Sequence, residues 1–234
     1  MMYFPQVVVV LTAIHSVVAV PTGQTQASVQ KRGPHNFVMG PDHPLMMARR
    51  NESLPRRATN YIQDYTTGDT VYFAPESGEF YVSWDTTDDF VVGVGWNPGS
   101  TEPITHAGSF NVKSGLASLS VYGWTTDPLV EYYIIDEYVN MEQAGTKKGT
   151  VYSDGATYTI WENKRINEPS IEGTSTFNQY ISIRESNRAS GTITVENHFK
   201  AWANVGLKLG TMDFQVIAVE SWDGSGNAYQ TVKQ

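Results

Sequence analysis

No cysteine occurs among the 234 residues, which excludes a disulfide framework, a thiolate metal site and a thiol nucleophile. Basic residues are few: 16 Lys and Arg stand against 24 Asp and Glu, for a net charge of -8. Residues 1–57 hold six of the basic residues and only two of the acidic ones, so the chain beyond them is more acidic still. A field of that sign repels phosphate backbones and anionic lipid, so nucleic acid and membrane are excluded as partners. Long apolar runs are missing too, since the mostly apolar stretch Val7 to Val20 falls short of the roughly 20 residues that span a bilayer. Histidine and acid groupings with metal-ligand spacing are also lacking. His106 stands alone in an expected loop, His198 and Trp202 read as packing residues with only Glu196 nearby, and Asp85, Asp88 and Asp223-Gly224 fit hairpin turns better than a calcium loop. No metal and no cofactor is expected, and there is no internal repeat or second module.

What is present begins with a leader. Val7 to Val20 has the length and the small-residue ending of a secretory signal peptide, placed at 1–19, and implies an extracellular protein. Residues 20–57 carry the dibasic pairs Lys31-Arg32, Arg49-Arg50 and Arg56-Arg57 without any alternating pattern, and read as a propeptide or flexible leader. The sequon Asn51-Glu-Ser53 lies inside it. The remaining residues, 58–234, are the length of one domain with a sizeable core, expected to be a monomer.

From Tyr61 onward, short runs rich in Val, Ile, Thr, Tyr, Phe and Trp alternate with Gly, Asp, Asn and Ser turns, which predicts an all-β domain. Expected strands include Asp89 to Gly95, Ala107 to Val112, Leu116 to Trp124, Val130 to Glu137, Ala156 to Arg165, Phe177 to Glu185, Ser190 to Glu196, Phe214 to Trp222 and Ala228 to Val232. Ser153-Asp-Gly155 and Asp223-Gly-Ser-Gly226 read as tight hairpins. One segment departs from this pattern. Asn197 to Leu209 places Phe199, Trp202, Val205 and Leu209 on one side of a short helix, with Gly206 weakening its last turn.

Two glutamates stand in the strand-like stretches. Period-2 spacing puts Tyr122 with Trp124, and Glu131 with Tyr133, on common faces, while Glu220 shares a face with Phe214, Val216, Ala218 and Trp222. A carboxylate in such an apolar row is costly unless it is paired or used. Cutting a sugar chain by the two-carboxylate route needs one such group to attack and another to donate a proton. From periodicity alone, Tyr122, Trp124 and Tyr133 read equally as core aromatics and Arg165 as a surface charge.

The residues resemble family 11 glycoside hydrolases, the endo-1,4-β-xylanases. The likeness rests on Tyr122-Gly-Trp124 with Pro128-Leu-Val-Glu-Tyr-Tyr133, on Arg165 with Pro169 to Tyr180, on Val216-Ile-Ala-Val-Glu220, on Asp89 to Trp96, and on Asn197-His198 with Ala201-Trp202, in that family's order. It covers essentially Asn60 to Val232. The resemblance implies a β-jelly roll of two strongly curved antiparallel sheets with a long concave cleft, one short helix and a thumb loop around Pro169 to Thr176. It implies xylan or xylo-oligosaccharide as partner, a retaining reaction with Glu131 as nucleophile and Glu220 as acid/base, and Asp89 as the residue that sets the pH range. Tyr133 and Arg165 match supports of the nucleophile and the sugar, and Tyr122, Gln179 and Pro169 match further cleft contacts; Trp124 belongs to the same block. Departures are Tyr65 for a stacking Trp, Phe214 for a cleft Tyr, Trp222 for a Tyr, and Ile181 where Trp is common. The competing reading from another class is a secreted, non-catalytic, lectin-like jelly roll.

Overall fold

The computed structural model describes residues 57–68, 70–142 and 145–234; the signal-peptide and propeptide expectations lie outside the described residues, apart from Arg57. The strands are β1 (Tyr61–Thr66), β2 (Val71–Glu76), β3 (Glu79–Thr86), β4 (Phe90–Trp96), β5 (Ile104–Thr126), β6 (Val130–Val139), β7 (Thr146–Ser153), β8 (Ala156–Ser170), β9 (Gly173–Arg184), β10 (Gly191–Ile193) and β11 (Thr211–Lys233), with a helix, α1 (Val195–Asn204), between the last two.

Two strands of 23 residues, β5 and β11, organise the rest. Their cleft-side halves pair as Glu220↔Ser118 and Val216↔Tyr122, and lie in the order β1-β4-β11-β5-β6-β9-β8-β7. Their other halves pair as Asn227↔Asn111 and carry β3 with β2 on one side and β10 on the other. The two layers of the jelly roll are therefore one hydrogen-bonded ladder that bends where these strands cross from layer to layer. The sequence predicts two strands in each place and a hairpin at Asp223 to Gly226. The structure instead shows β11 running through, with register shifts between Ser221 and Asp223 and between Ser225 and Gly226. Such bulges bend a strand without ending it. Gly224 faces Gly115 across this bend, and a Cβ on Gly115, whose φ is +77°, would overlap the Asp223 carbonyl, so glycine here permits close backbone approach rather than a turn.

The expected antiparallel pairing holds except at one place. The β7-β8-β9 meander returns β9 beside β6 in parallel, with Glu131↔Gln179 and Tyr133↔Ile181 in register. The Ser153-Asp-Gly155 hairpin forms between β7 and β8 as expected. The helix starts two residues earlier than predicted and stops at Asn204, because Gly206 takes φ +87° and the Leu207 N–H turns back to the Trp202 carbonyl at 2.9 Å.

Alternation of side chains sorts apolar residues into two clusters. Val92, Val94, Tyr132, Ile134, Ile217 and Val219 pack between the layers, with Trp202 and Phe199 of α1 against Tyr132. Val91, Tyr133, Ile135, Phe177, Val216 and Ala218 lie on the opposite, concave side. Both faces of β4 and most of β6 are thus buried, although each strand keeps its period of 2.

A polar group also sits inside the core. His106, expected in a loop, is in β5 and buried; its Nε2 is 3.1 Å from Asp136, which also accepts from Tyr158 at 2.6 Å and Arg188 at 2.7 Å. Burial works to raise the Asp136 pKa, but the hydrogen bonds from His106, Tyr158 and Arg188 and the charge of His106 hold it below the ordinary value. Removing one partner of such a buried ionic group costs about 3–5 kcal/mol. This cluster ties β5, β6, β8 and the segment before β10 together behind the cleft. His198, assigned to packing, is buried edge-on against Tyr158 and stays neutral, its pKa pushed down by burial to about 4.

Candidate active site

The concave face holds a cleft of about 720 Å³, within the usual size of a ligand site. The register explains which side chains meet in it. Tyr122 stands opposite Tyr133, Trp124 opposite Glu131, and Glu131 opposite Gln179, so β5, β6 and β9 deliver one row of polar groups. Glu131 is buried and accepts three hydrogen bonds: from Tyr122 Oη at 2.9 Å and Tyr133 Oη at 3.1 Å to Oε1, and from Gln179 Nε2 at 2.7 Å to Oε2. Burial raises its pKa above the ordinary value, and these donors, with the positive charge of Arg165, oppose the rise. The result is a carboxylate that can ionise while most of its water is stripped away.

Glu220 comes from β11, where it pairs with Val91 and Ser118, and keeps part of its surface open to the cleft. Its Oε1 is 3.5 Å from Tyr133 Oη, the hydroxyl that also reaches Glu131. The two carboxyl oxygens therefore lie no farther apart than those two contacts laid end to end. Burial, then the charges of Asp89 and Glu131, push the Glu220 pKa well above its ordinary value. Asp89, just before β4, is itself raised to about 6 by burial, against the pull of Arg165. One Asp89 oxygen, Oδ1, is buried with no hydrogen-bond partner. An orphaned carboxylate oxygen is expensive, which favours a proton on the Asp89 and Glu220 pair.

Every residue singled out from the sequence lines the cleft: Tyr65, Asp89, Tyr122, Trp124, Glu131, Tyr133, Arg165, Pro169, Gln179 and Glu220. They do so in different ways. Tyr65 is 37% exposed and offers an open ring. Trp124 is buried against Phe177 and donates its Nε1–H to Tyr122 Oη at 2.7 Å, so it acts on the Glu131 row through Tyr122. Arg165 forms an ion pair with Glu168 at 3.5 Å and supports the two glutamates by its charge rather than by a direct bond. The thumb is a tight hairpin in which Ser170 Oγ donates to the Gly173 carbonyl at 2.6 Å and Gly173 takes φ +83°, placing Pro169 and the exposed Ile171 over the cleft.

Trp161, Asn163 and Tyr61 line the same cleft and are absent from the sequence-based set. Counting back by two from Arg165 along β8 reaches Asn163 and Trp161, so the strand period carried that signal. Tyr61 stacks on Phe214 with ring centroids 4.6 Å apart, which gives the departure at Phe214 a packing role where a hydroxyl is missing.

A concave sheet with two carboxyls joined through one hydroxyl, Glu220 raised well above its ordinary pKa and Glu131 raised against three opposing donors, is the equipment of a two-carboxylate glycosidase. Residues 57–231 match the family described as glycosyl hydrolases family 11. The chain belongs to that family. It is 54% identical to Endo-1,4-beta-xylanase 1 of Hypocrea jecorina strain QM6a over 99% of each chain, and 54% identical to Ethylene-inducing xylanase 2 of Botryotinia fuckeliana over 99% of this chain and all of that one. A structure from a comparison of two major endo-1,4-beta-xylanases of Trichoderma reesei superposes with a TM-score of 0.75 at 61% identity, covering 76% of this chain and 100% of that one.

Proposed function

We propose that this protein is an endo-1,4-β-xylanase that hydrolyses internal β-1,4-xylosidic bonds with retention of configuration. The observation that carries the reading is the Tyr133 hydroxyl held between Glu131 and Glu220. It limits the carboxyl separation to at most the lower edge of the ~6.5–9.5 Å inverting range, and any bend at the hydroxyl brings the pair toward the ~5–5.5 Å of retaining enzymes. Glu131, ionised, attacks the anomeric carbon, and the bond to the leaving oxygen breaks as that oxygen takes the Glu220 proton. Forming the glycosyl ester neutralises Glu131, which removes one of the charges that hold Glu220 protonated. Glu220 then takes a proton from water, the resulting hydroxide displaces Glu131 from the sugar, and both groups return to their starting states.

Tyr65 and the thumb residues Pro169 and Ile171 supply apolar surface for sugar faces, and Arg165 biases the carboxyls toward ionisation. The signal-like segment at Val7 to Val20, together with a substrate too large to enter a cell, supports action outside it by a monomeric domain spanning 58–234. Arg57 packs on that domain, with Nη2 donating to the Pro98 carbonyl at 2.7 Å and Nη1 to Gln234 at 3.0 Å.

The test is release of reducing ends from xylan, with cellulose as control. The wild type is expected to shorten xylan rapidly and to leave cellulose unchanged. Tight xylan binding without chain cleavage would favour the lectin-like reading, which no observation here supports.

A further inference from the structure

Asn163 stands opposite Gln179 across the β8–β9 pair. Its Oδ1 accepts the Lys164 backbone N–H at 2.9 Å, and its Nδ2 donates to Gln179 Oε1 at 2.8 Å. Gln179 Nε2 in turn donates to Glu131 Oε2 at 2.7 Å. The direction of this chain is fixed at both ends. A backbone N–H can only donate, so it selects the oxygen of Asn163 and turns the Asn163 NH₂ toward Gln179. An ionised carboxylate can only accept, so it selects the NH₂ of Gln179. Turning over either amide alone sets donor against donor, or carbonyl against carboxylate.

We propose that Asn163 is a positioning residue that locks the Gln179 amide so that its NH₂, and not its carbonyl, faces the Glu131 carboxylate. The proposal rests on the nucleophile role assigned to Glu131 above. Glu131 Oε1 already has two hydroxyl donors, from β5 and β6, whereas Gln179 is the donor that serves Oε2. Gln179 could still find Glu131 without Asn163, since its amide rotates freely in solution. Asn163 removes that freedom before substrate arrives, which is preorganisation of the attacking group. The ionisable groups that line the cleft with Glu131 are Tyr61 and Tyr65 on β1, Asp89 before β4, Tyr122 on β5, Tyr133 on β6, Glu142 after it, Arg165 and Glu168 on β8, and Glu220 on β11, and the relay bonds run through none of them.

Substitutions at residue 163 in the full chain separate orientation from packing. Asn163→Asp has nearly the same shape and still accepts from Lys164, but it accepts from Gln179 as well and so turns the Gln179 carbonyl onto Glu131. Its kcat on a xylo-oligosaccharide is expected to fall about 10- to 100-fold, the worth of one hydrogen bond to a charged group. KM should change little, the melting temperature should be retained, and the acid limb of the pH–rate profile should move up. Asn163→Leu, which frees Gln179 without reversing it, loses less, and Asn163→Thr, whose hydroxyl can donate to Gln179, recovers most of what Leu loses. In a Gln179→Leu background the Asp substitution should cost almost nothing further, because its target is gone; a charge effect acting directly on Glu131 would persist there. Wild-type kcat in the Asp variant, equal losses in Leu and Thr, or an undiminished Asp effect without Gln179 would each overturn the relay. The nucleophile assignment is checked separately by Glu131→Ala: if that variant is inactive while the residue 163 variants behave as wild type, only the relay fails.

Discussion

Glu131→Gln is expected to lower kcat on xylan by on the order of 10⁴-fold or more, the scale seen when a covalent nucleophile is removed. An amide cannot attack the anomeric carbon, and among the described residues Glu131 is the carboxylate that Tyr122, Tyr133 and Gln179 together hold, while Glu220 meets only Tyr133, at 3.5 Å. The fold should survive, and the melting temperature at neutral pH should hold or rise. Burial raises the Glu131 pKa above its unfolded value, so its ionisation destabilises the native state as pH climbs through the folded pKa, and the neutral amide escapes that cost. Glu220→Ala should fail differently. With xylan it loses activity heavily, because the departing oxygen needs a proton, but with an aryl xyloside whose leaving group needs none, the first step should remain fast and the glycosyl-enzyme should accumulate. Steady-state and burst kinetics on the two substrates check this. Equal losses on both substrates for both variants would remove the division of roles.

Asp89→Asn is expected to move the pH optimum upward by about one unit. Raised pKa values at both acids define the wild-type window. On the acid side Glu131 must ionise, which burial places above the ordinary 4.5. On the alkaline side Asp89 loses its proton at about 6; once charged, it makes Glu220 hold its proton too firmly to be a good donor. The account therefore gives an acidic optimum between those limits. An asparagine stays neutral at every pH, so the alkaline limb shifts up to the ionisation of Glu220 itself. Profiles of kcat/KM for the two proteins decide the matter, and an alkaline limb left in place would remove Asp89 from this role. The same shift has a stability side. A carboxyl whose folded pKa is raised contributes stability at low pH that is lost as pH rises through that value, so the Asn variant should lose less stability between pH 4 and pH 7.

Much of this site was legible in the strands themselves. A period of 2 puts Glu131 and Tyr133 on one face, and Glu220 with Val216 and Ala218 on another, without reference to any structure. That these rows share one concave face was not legible, because it depends on β11 pairing with β5, and β5 with β6, a relation between residues far apart in sequence. The same non-local pairing explains the misplaced hairpin at Asp223 to Gly226: glycines that permit a turn also permit a bulge, and only the partner strand distinguishes them. His106 looked solitary because its partners, Asp136 on β6 and Gln230 on β11, come from distant segments. Asn163 is a polar residue in a strand with ordinary neighbours, and its link to Glu131 exists only through Gln179 on the adjacent strand.

The central claim is that two carboxyls at close range cut the sugar by double displacement. It is tested most directly by following the anomeric protons by NMR while the wild-type enzyme acts on a xylo-oligosaccharide. The account predicts that the β-anomer of the new reducing end appears first and the α-anomer only later, by mutarotation. First appearance of the α-anomer would mean a single displacement by water, and would contradict the assignment of Glu131 as nucleophile.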